Sequence, residues 1–413
     1  MSDTALSFEE HGEVLAHWHQ LGWSNETVVC LDRHLDLKRI ADDDLARLGQ
    51  ALDSDAIRML NRDVPFRDDD VHAYGLDDFV YAAGAMGMVK RFVWVVPPGS
   101  SGPDVDRLSN ALWKMLALVP GHGREILYSF RVEPWGARAD VGGLSVAITT
   151  VDALGQVPGL RGARLDVDLD YFCDEEGDVV DDPVRVAGQL RALGLAESAP
   201  TMTFSISSGF MPPALRYLGE TFAGALGWPL EAAPQTRRHR WAAVEAISNR
   251  RPLDAGARET LWADELCKLG GAGWSARCLL ELAAGQLEAA MVSHDEARAH
   301  GDRATWPAYA LGLHLIGLNK YGRAGQYLER AAERATDTIS AHAHFLRGMC
   351  AYRLGELETC ARWAEKTIEL TPMWRDAYVL GAAACRKLHE EERAEFHDRN
   401  ARTIAERQRG ARA

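Results

Sequence analysis

An apolar run that stops on alternating acids fits best at the carboxyl end of a buried strand, and this chain has two. The first is Val28-Val29-Cys30-Leu31-Asp32-Arg33-His34-Leu35-Asp36. On a strand or its extended tail, positions i, i+2 and i+4 point to one side, so Asp32, His34 and Asp36 are expected to converge. The second is Ala163-Arg164-Leu165-Asp166-Val167-Asp168-Leu169-Asp170-Tyr171-Phe172, with an acid at every second position from Asp166. Strands this apolar are buried on both faces, where an unpaired carboxylate is costly. Open α/β sheets hold their ligands at the carboxyl edge. A divalent cation is the simplest partner for so many oxygens, so the two strands side by side predict a metal site.

The rest of the N-terminal half supplies a sheet for that edge. Strands are expected over 28–31, 89–96, 144–148, 164–169 and 201–207, the last emptying into Ser208-Gly209-Phe210-Met211-Pro212-Pro213. Helical periodicity lies between them, over 41–60 (Leu45, Leu48, Leu52 and Ile57 on one face), 76–86, 105–118 and 184–195. Helices alternating with short apolar strands predict a mostly parallel sheet covered on both faces. Upstream, Glu10-His11-Gly12 opens a helix carried by Val14, Leu15 and Trp18, which sets His11 near the sheet edge.

Past about residue 238 the strand signals vanish. Thr236-Arg237-Arg238-His239-Arg240 reads as a linker or as the solvated start of the next helix. The chain then repeats: Cys278, Gly312, Gly348 and Gly381 recur at intervals of 34, 36 and 33, and Gly285, Gly322 and Gly355 mark expected turns. The clearest unit runs from His344 to Pro372, with Gly348, Tyr352, Gly355, Ala361, Ala364 and Pro372 in order. This resembles a tetratricopeptide repeat, in which small residues let antiparallel helices approach and stacked pairs share a core. Two domains are expected, 1–238 and 239–413. Trp306, Trp363 and Trp374 are expected in the repeat core, or on a concave face that holds a peptide. His314, His342, His344 and His397 are expected to pack within the repeats rather than bind metal.

Charge and cysteines narrow the partners. A net charge of −14 argues against nucleic acid. No apolar stretch approaches the roughly 18–20 residues of a membrane span, and the N-terminus lacks the pattern of a signal peptide. Seven scattered cysteines without a Cys-x-x-Cys suit reduced thiols, so a cytoplasmic location is expected.

His11, then Asp32-x-His34-x-Asp36, then Asp168-x-Asp170 resemble in order the metal motifs of the arginase/deacetylase superfamily. Residues 8–215 are similar, more narrowly, to an atypical arginase-like family that includes bacterial peptide arginases. The matching segments are Glu-His-Gly-Glu-Val-Leu, Leu-Asp-Arg-His-Leu-Asp-Leu, Phe-Val-Trp-Val-Val-Pro, Leu-Asp-Val-Asp-Leu-Asp-Tyr-Phe and Ser-Ser-Gly-Phe-Met-Pro. The resemblance implies a three-layer αβα domain holding two Mn2+ ions, ahead of an all-α tetratricopeptide-like repeat domain. Asp32 and Asp168 would bridge the ions, His11 and Asp36 would complete one, and His34 and Asp170 the other. Asp166-Val167-Asp168 has the same spacing as the chosen pair, so Asp166 remains an alternative ligand.

The implied reaction is hydrolysis of an arginine guanidinium to ornithine and urea within a ribosomally made precursor peptide. The helical domain would recruit that peptide or form a homo-oligomer. The pattern departs from ordinary arginases, which carry a guanidinium-binding acid on a late strand; Phe204–Met211 offers Ser205, Ser207 and Ser208 but no carboxylate. Glu10 and Glu13 are the candidates to supply it. His72 is the candidate proton shuttle, while His17 and His19 fit a helix surface. Two rivals stand beside this reading: hydrolysis of an amide or another amidine, and a repeat-based interaction protein with a structural ion.

Overall fold

The computed structural model describes residues 4–62, 64, 67, 70–99, 104–117, 119–174, 176–197, 200–234, 242–248, 252–333 and 338–410. Nine strands form one sheet: β1 (Ala5–Phe8), β2 (Glu26–Leu31), β3 (Val89–Val96), β4 (Arg131–Glu133), β5 (Gly136–Val141), β6 (Leu144–Thr150), β7 (Arg164–Asp168), β8 (Thr201–Thr203) and β9 (Leu230–Ala232). Their spatial order is β4-β5-β6-β3-β2-β7-β8-β1-β9. All neighbouring pairs are parallel except the β4–β5 and β5–β6 hairpins. The two acid-tipped strands, β2 and β7, are adjacent at the centre, with Leu31 opposite Val167. β2 is followed in sequence by its other neighbour β3, and β7 by β8. The order therefore reverses between them, and such switch points open a crevice at the strands' carboxyl ends.

Each face of the sheet is packed. Trp18, Phe79, Phe92, Trp94 and Leu112 belong to one core, and Val29, Val93, Val167, Leu190 and Phe222 to the other. Alternate residues of β2 and β3 enter opposite layers, which explains why these strands read as continuous apolar runs.

In the α/β half three expectations need correction. The helix over 41–60 is two, Asp42–Gln50 and Ser54–Met59, because Asp53 takes an extended backbone and its carboxylate caps Ala56 N–H at 2.8 Å. Leu52, assigned to the buried face, is consequently 93% exposed. The strand expected over 201–207 ends at Thr203, because Ser205 turns left-handed (φ 50°). The short strand β1, the edge strands β4 and β9 and the antiparallel β5 carry no expectation, since three to six residues of mixed polarity give little periodic signal.

After β9 the described residues form helices alone, beginning at Ala242. The expected boundary at 238/239 and the basic 236–240 segment lie outside the described residues. Four antiparallel helix pairs follow, Gly271–Ala283 with Leu287–Ala299, Thr305–Gly317 with Tyr321–Ala331, Thr338–Leu354 with Leu357–Leu370, and Arg375–Lys387 with Glu391–Gly410. Cys278, Gly312, Gly348 and Gly381 occupy matching places on the first helix of each pair. A Cβ on Gly312 would stand 2.7 Å from Leu328, so the close crossing needs glycine there. Gly285 and Gly355 do turn with positive φ, but Gly322 lies inside a helix and Asn319 (φ 57°) makes that turn instead. His344 and His397 are buried among the helices, as expected. Trp306 is not core; it is 43% exposed.

The repeats are packed onto the α/β domain rather than tethered to it. Met373, Tyr378, Ala401 and Ile404 join the same core as Phe79 and Trp113. Gly121 N–H donates to Leu370 carbonyl at 2.9 Å, and Pro372, the closing proline of the clearest repeat unit, fills the space beside Gly123. At the other end Val64 packs with Ala243, Val244 and Leu280. No described helix is long and apolar enough to cross a membrane.

Candidate metal centre

The carboxyl ends of β2 and β7 bring together the expected acids. Asp32, Asp168 and Asp170 are almost wholly buried, as is His11. Among the described residues three groups have their ligand atoms within 4.8 Å of one another: His11–Asp32–Asp168, Asp32–His34–Asp170 and His11–Cys30–Asp166. The first two share Asp32. Asp36 borders the first, its Oδ2 standing 3.2 Å from His11 Nδ1. His34 Nδ1 lies 3.0 Å from Asp170 Oδ2 and 3.8 Å from Asp32 Oδ1.

Local backbone holds these groups in place. His34 N–H donates to Asp32 Oδ1 at 2.7 Å, and Trp94 Nε1–H to the Asp32 carbonyl at 2.9 Å. Asp170 N–H donates to Asp168 Oδ1, so the second motif curls into a short 3-10 turn, Leu169–Phe172, as its strand ends. Asp36 and Ser205 both sit at left-handed φ, a strained backbone of the kind that collects at functional sites. At Ser205 the turn aims the hydroxyl at Asp168 Oδ2, 2.6 Å away. Gly12 lets the His11–Glu13 turn press against the chain: a Cβ there would meet Gly75 C at 2.8 Å and Asn61 Oδ1 at 3.0 Å.

The electrostatics are those of a cation site. Burial first, then the charges of Asp36 and Asp170, push Asp32 up to about 7. Burial and Asp170 push Asp168 well above the usual carboxylate range, and burial raises Asp36. Burial alone would lower His34, but Asp170, Asp32 and Asp36 outweigh it and hold its imidazolium up to about 10. His11 Nδ1 and Asp170 Oδ2 are buried with no hydrogen-bond partner among the described residues. Nδ1 nevertheless has Asp32, Asp36 and Asp168 oxygens at 3.1, 3.2 and 3.4 Å. Oxygen-rich donors with imidazoles, repelling one another around orphaned lone pairs, fit two hard divalent ions such as manganese.

Asp166, the alternative that its spacing left open, falls in the third group, with His11 and Cys30. It lies below the cluster, fully buried, and meets the other ring nitrogen, His11 Nε2, at 2.8 Å. The later pair, Asp168 and Asp170, faces His11 Nδ1 and His34.

The remaining candidates separate. The Glu10 carboxylate oxygens are buried. Burial raises Glu10 to about 8, against the hydroxyls of Ser207 and Ser208 beside it. Those serines share a loop with Ser205, whose carbonyl accepts from Ser208 Oγ, so Glu10 and the metal groups border one loop. Glu13 is used otherwise. Its Oε2 accepts Glu9 and Glu10 N–H at 3.2 and 3.5 Å, and it lines a separate cavity of about 440 Å³ with His17, Arg58 and Asn61. His72 joins neither ligand group; its carbonyl accepts from Arg47. His19 bonds Ser54 on the helix surface. Phe210 is a site residue whose contact was not foreseen: 38% exposed, it packs on the His34 ring at 4.8 Å. His34 is itself 41% exposed, so the cluster opens to solvent there.

No family model matches the chain, and no curated protein matches it. Solved structures similar to the C-terminal helical part include one titled "Crystal structure of MamA", 19% identical, covering 40% of this chain and 92% of that one with a TM-score of 0.32. Another is "Crystal structure of YrrB: a TPR protein with an unusual peptide-binding site", 20% identical, covering 40% and 88% with a TM-score of 0.29.

Proposed function

We propose that this chain is a two-manganese hydrolase of arginine guanidinium groups, acting on an arginine-containing precursor peptide to leave ornithine and release urea. The observation that carries the reading is the pair of ligand groups sharing Asp32, with Asp168 and Asp36 against His11 and with Asp170 against His34. When bound, ions there supply Lewis acidity and acidify water near neutral pH. The chain's own residues would do the rest. Six side chains fix the ions, and the half-exposed His34 and Phe210 form the mouth through which a side chain can enter. An ion held only for structure is normally closed off by its ligands, so this opening favours catalysis over a structural site. Water adds to the guanidinium carbon, the bond to the ornithine nitrogen breaks, and the proton lost by water ends on the departing amine.

Glu10 is the acid we assign to the substrate's guanidinium, in the role that arginases give to a late-strand carboxylate. Its carboxylate oxygens are buried, and they face the hydroxyls of Ser207 and Ser208 on the loop that also borders the two ligand groups. Glu10→Gln is expected to raise KM for an arginine peptide on the order of 10- to 100-fold, the value of a charged hydrogen bond. Manganese binding should stay unchanged, and steady-state kinetics beside a metal titration checks both. The repeats would present the peptide or pair two chains.

The deciding assay is mass spectrometry of arginine-containing peptides and of free arginine, incubated with the protein and manganese. Loss of one CH2N2 unit from the peptide supports the proposal, and loss only from free arginine reassigns the substrate. Loss of an acyl group would move the reading to the amide rival. Bound metal with no turnover on either substrate would favour a repeat-based interaction protein.

A further inference from the structure

We infer that Asp166 is a positioning residue, which holds His11 as an Nδ1 ligand and is itself held by a buried chain of donors running from Trp18 through Thr201. The inference rests on the two-ion reading above. Asp166 stands in the middle of the sheet, in register with Cys30 of β2 on one side and Thr201 of β8 on the other. Nothing about packing asks for an acid there, since Cys30 and Trp18 on the same face of the sheet belong to an apolar core. Its carboxylate is instead filled with donors. Thr201 Oγ1 donates to Oδ1 at 2.5 Å, while Cys30 Sγ and His11 Nε2 approach Oδ2 at 3.3 and 2.8 Å. Trp18 Nε1–H, from the helix that follows His11, donates to Thr201 Oγ1 at 3.4 Å.

The consequence is a fixed tautomer. With Thr201 Oγ1 donating to its Oδ1, Asp166 meets His11 Nε2 through the acceptor Oδ2, which keeps a proton on Nε2. That leaves the Nδ1 lone pair for a cation among Asp32, Asp36 and Asp168. A negative charge behind the ring also makes the imidazole a better donor to metal, as outer carboxylates do for ligating histidines. The sequence uses three alternate acids on β7 and its tail for two tasks. Asp168 and Asp170 face the ions, and Asp166 faces the ligand.

The test is a calorimetric titration of the metal-stripped full-length protein with manganese chloride. It compares the wild type with Asp166→Asn, Thr201→Val, His11→Ala and the His11→Ala/Asp166→Asn pair. The wild type should bind two ions. Asp166→Asn, close to isosteric, should weaken one of them about 10- to 100-fold and leave the other within a few-fold; Thr201→Val should weaken the same one less. The double variant should bind no worse than His11→Ala, because Asp166 acts through that ring. Wild-type affinity at both sites in Asp166→Asn would overturn the inference, and so would equal weakening of both, which a merely structural role predicts. Should Asp166→Asn fail to fold, unchanged binding in Thr201→Val overturns it instead. A wild type that binds no manganese sinks the two-ion reading itself, and this role with it.

Discussion

Asp32→Ala is expected to lose about 1,000-fold or more in turnover on an arginine peptide, because it removes the one carboxylate common to both ligand groups. It is also expected to keep its fold. Asp32 is buried and its carboxyl sits at about 7, raised by burial and by Asp36 and Asp170. An acid whose folded pKa lies above its unfolded value weakens the fold progressively as pH rises between the two, and fully above the higher one. At pH 8, without metal, the ionised Asp32 is therefore a liability, and its removal should leave the melting temperature of the stripped protein equal or higher. Below about pH 4 the advantage should vanish, since the carboxyl is then protonated in both states. Melting curves with and without manganese chloride, beside the mass-spectrometric assay, check all three expectations. Turnover retained in Asp32→Ala would remove the shared-ligand site from the mechanism. A collapsed fold at pH 8 would mean that the hydrogen bonds Asp32 accepts outweigh the repulsion it suffers.

The cluster of acids and imidazoles was legible because it is written in period-two patterns on central strands. Once Val28–Leu31 and Arg164–Asp168 are strands, the pleat and the switch point fix where Asp32, His34 and Asp170 lie. His11 could be placed only through a helix start, and its contact with Asp166 depends on how Gly12 packs on Gly75, which no spacing encodes. The two glutamates were indistinguishable in sequence. They differ because the turn at His11–Glu13 sends Glu13 back to cap the amides of Glu9 and Glu10, leaving Glu10 beside the serine loop. Asp53 divides a helix whose apolar spacing runs across the break, so periodicity alone sent Leu52 inward. Likewise, Pro372 has the place of a repeat's closing proline, and only the fold reveals that it docks the repeats on Gly123.

Metal-stripped protein is expected to melt at progressively lower temperature as pH rises from about 5 to 8, and manganese is expected to reverse the trend. Two sets of groups drive the loss in the same direction. Asp32, Asp36 and Asp168 have raised pKa values, so the folded state binds more protons than the unfolded chain above about pH 4, and stability falls as those protons leave. His34, held up to about 10 by Asp170, Asp32 and Asp36, contributes stability that is whole below about 6.5 and is lost as pH rises toward 10. Cations replace the departing protons. At a hundredfold excess over Kd each site adds about 2.7 kcal/mol, on the order of 5–10 °C for a domain of roughly 200 residues. The gain should be larger at pH 8 than at pH 5, because at the lower pH the ions compete with protons for the same lone pairs. Differential scanning fluorimetry across that range, with manganese, with magnesium and with a chelator, measures both slopes. A stripped protein whose melting temperature is flat from pH 5 to 8, and which manganese does not move, would mean that the four acids are neutralised by the protein itself. Hydrolysis by bound ions would then have no site on this chain.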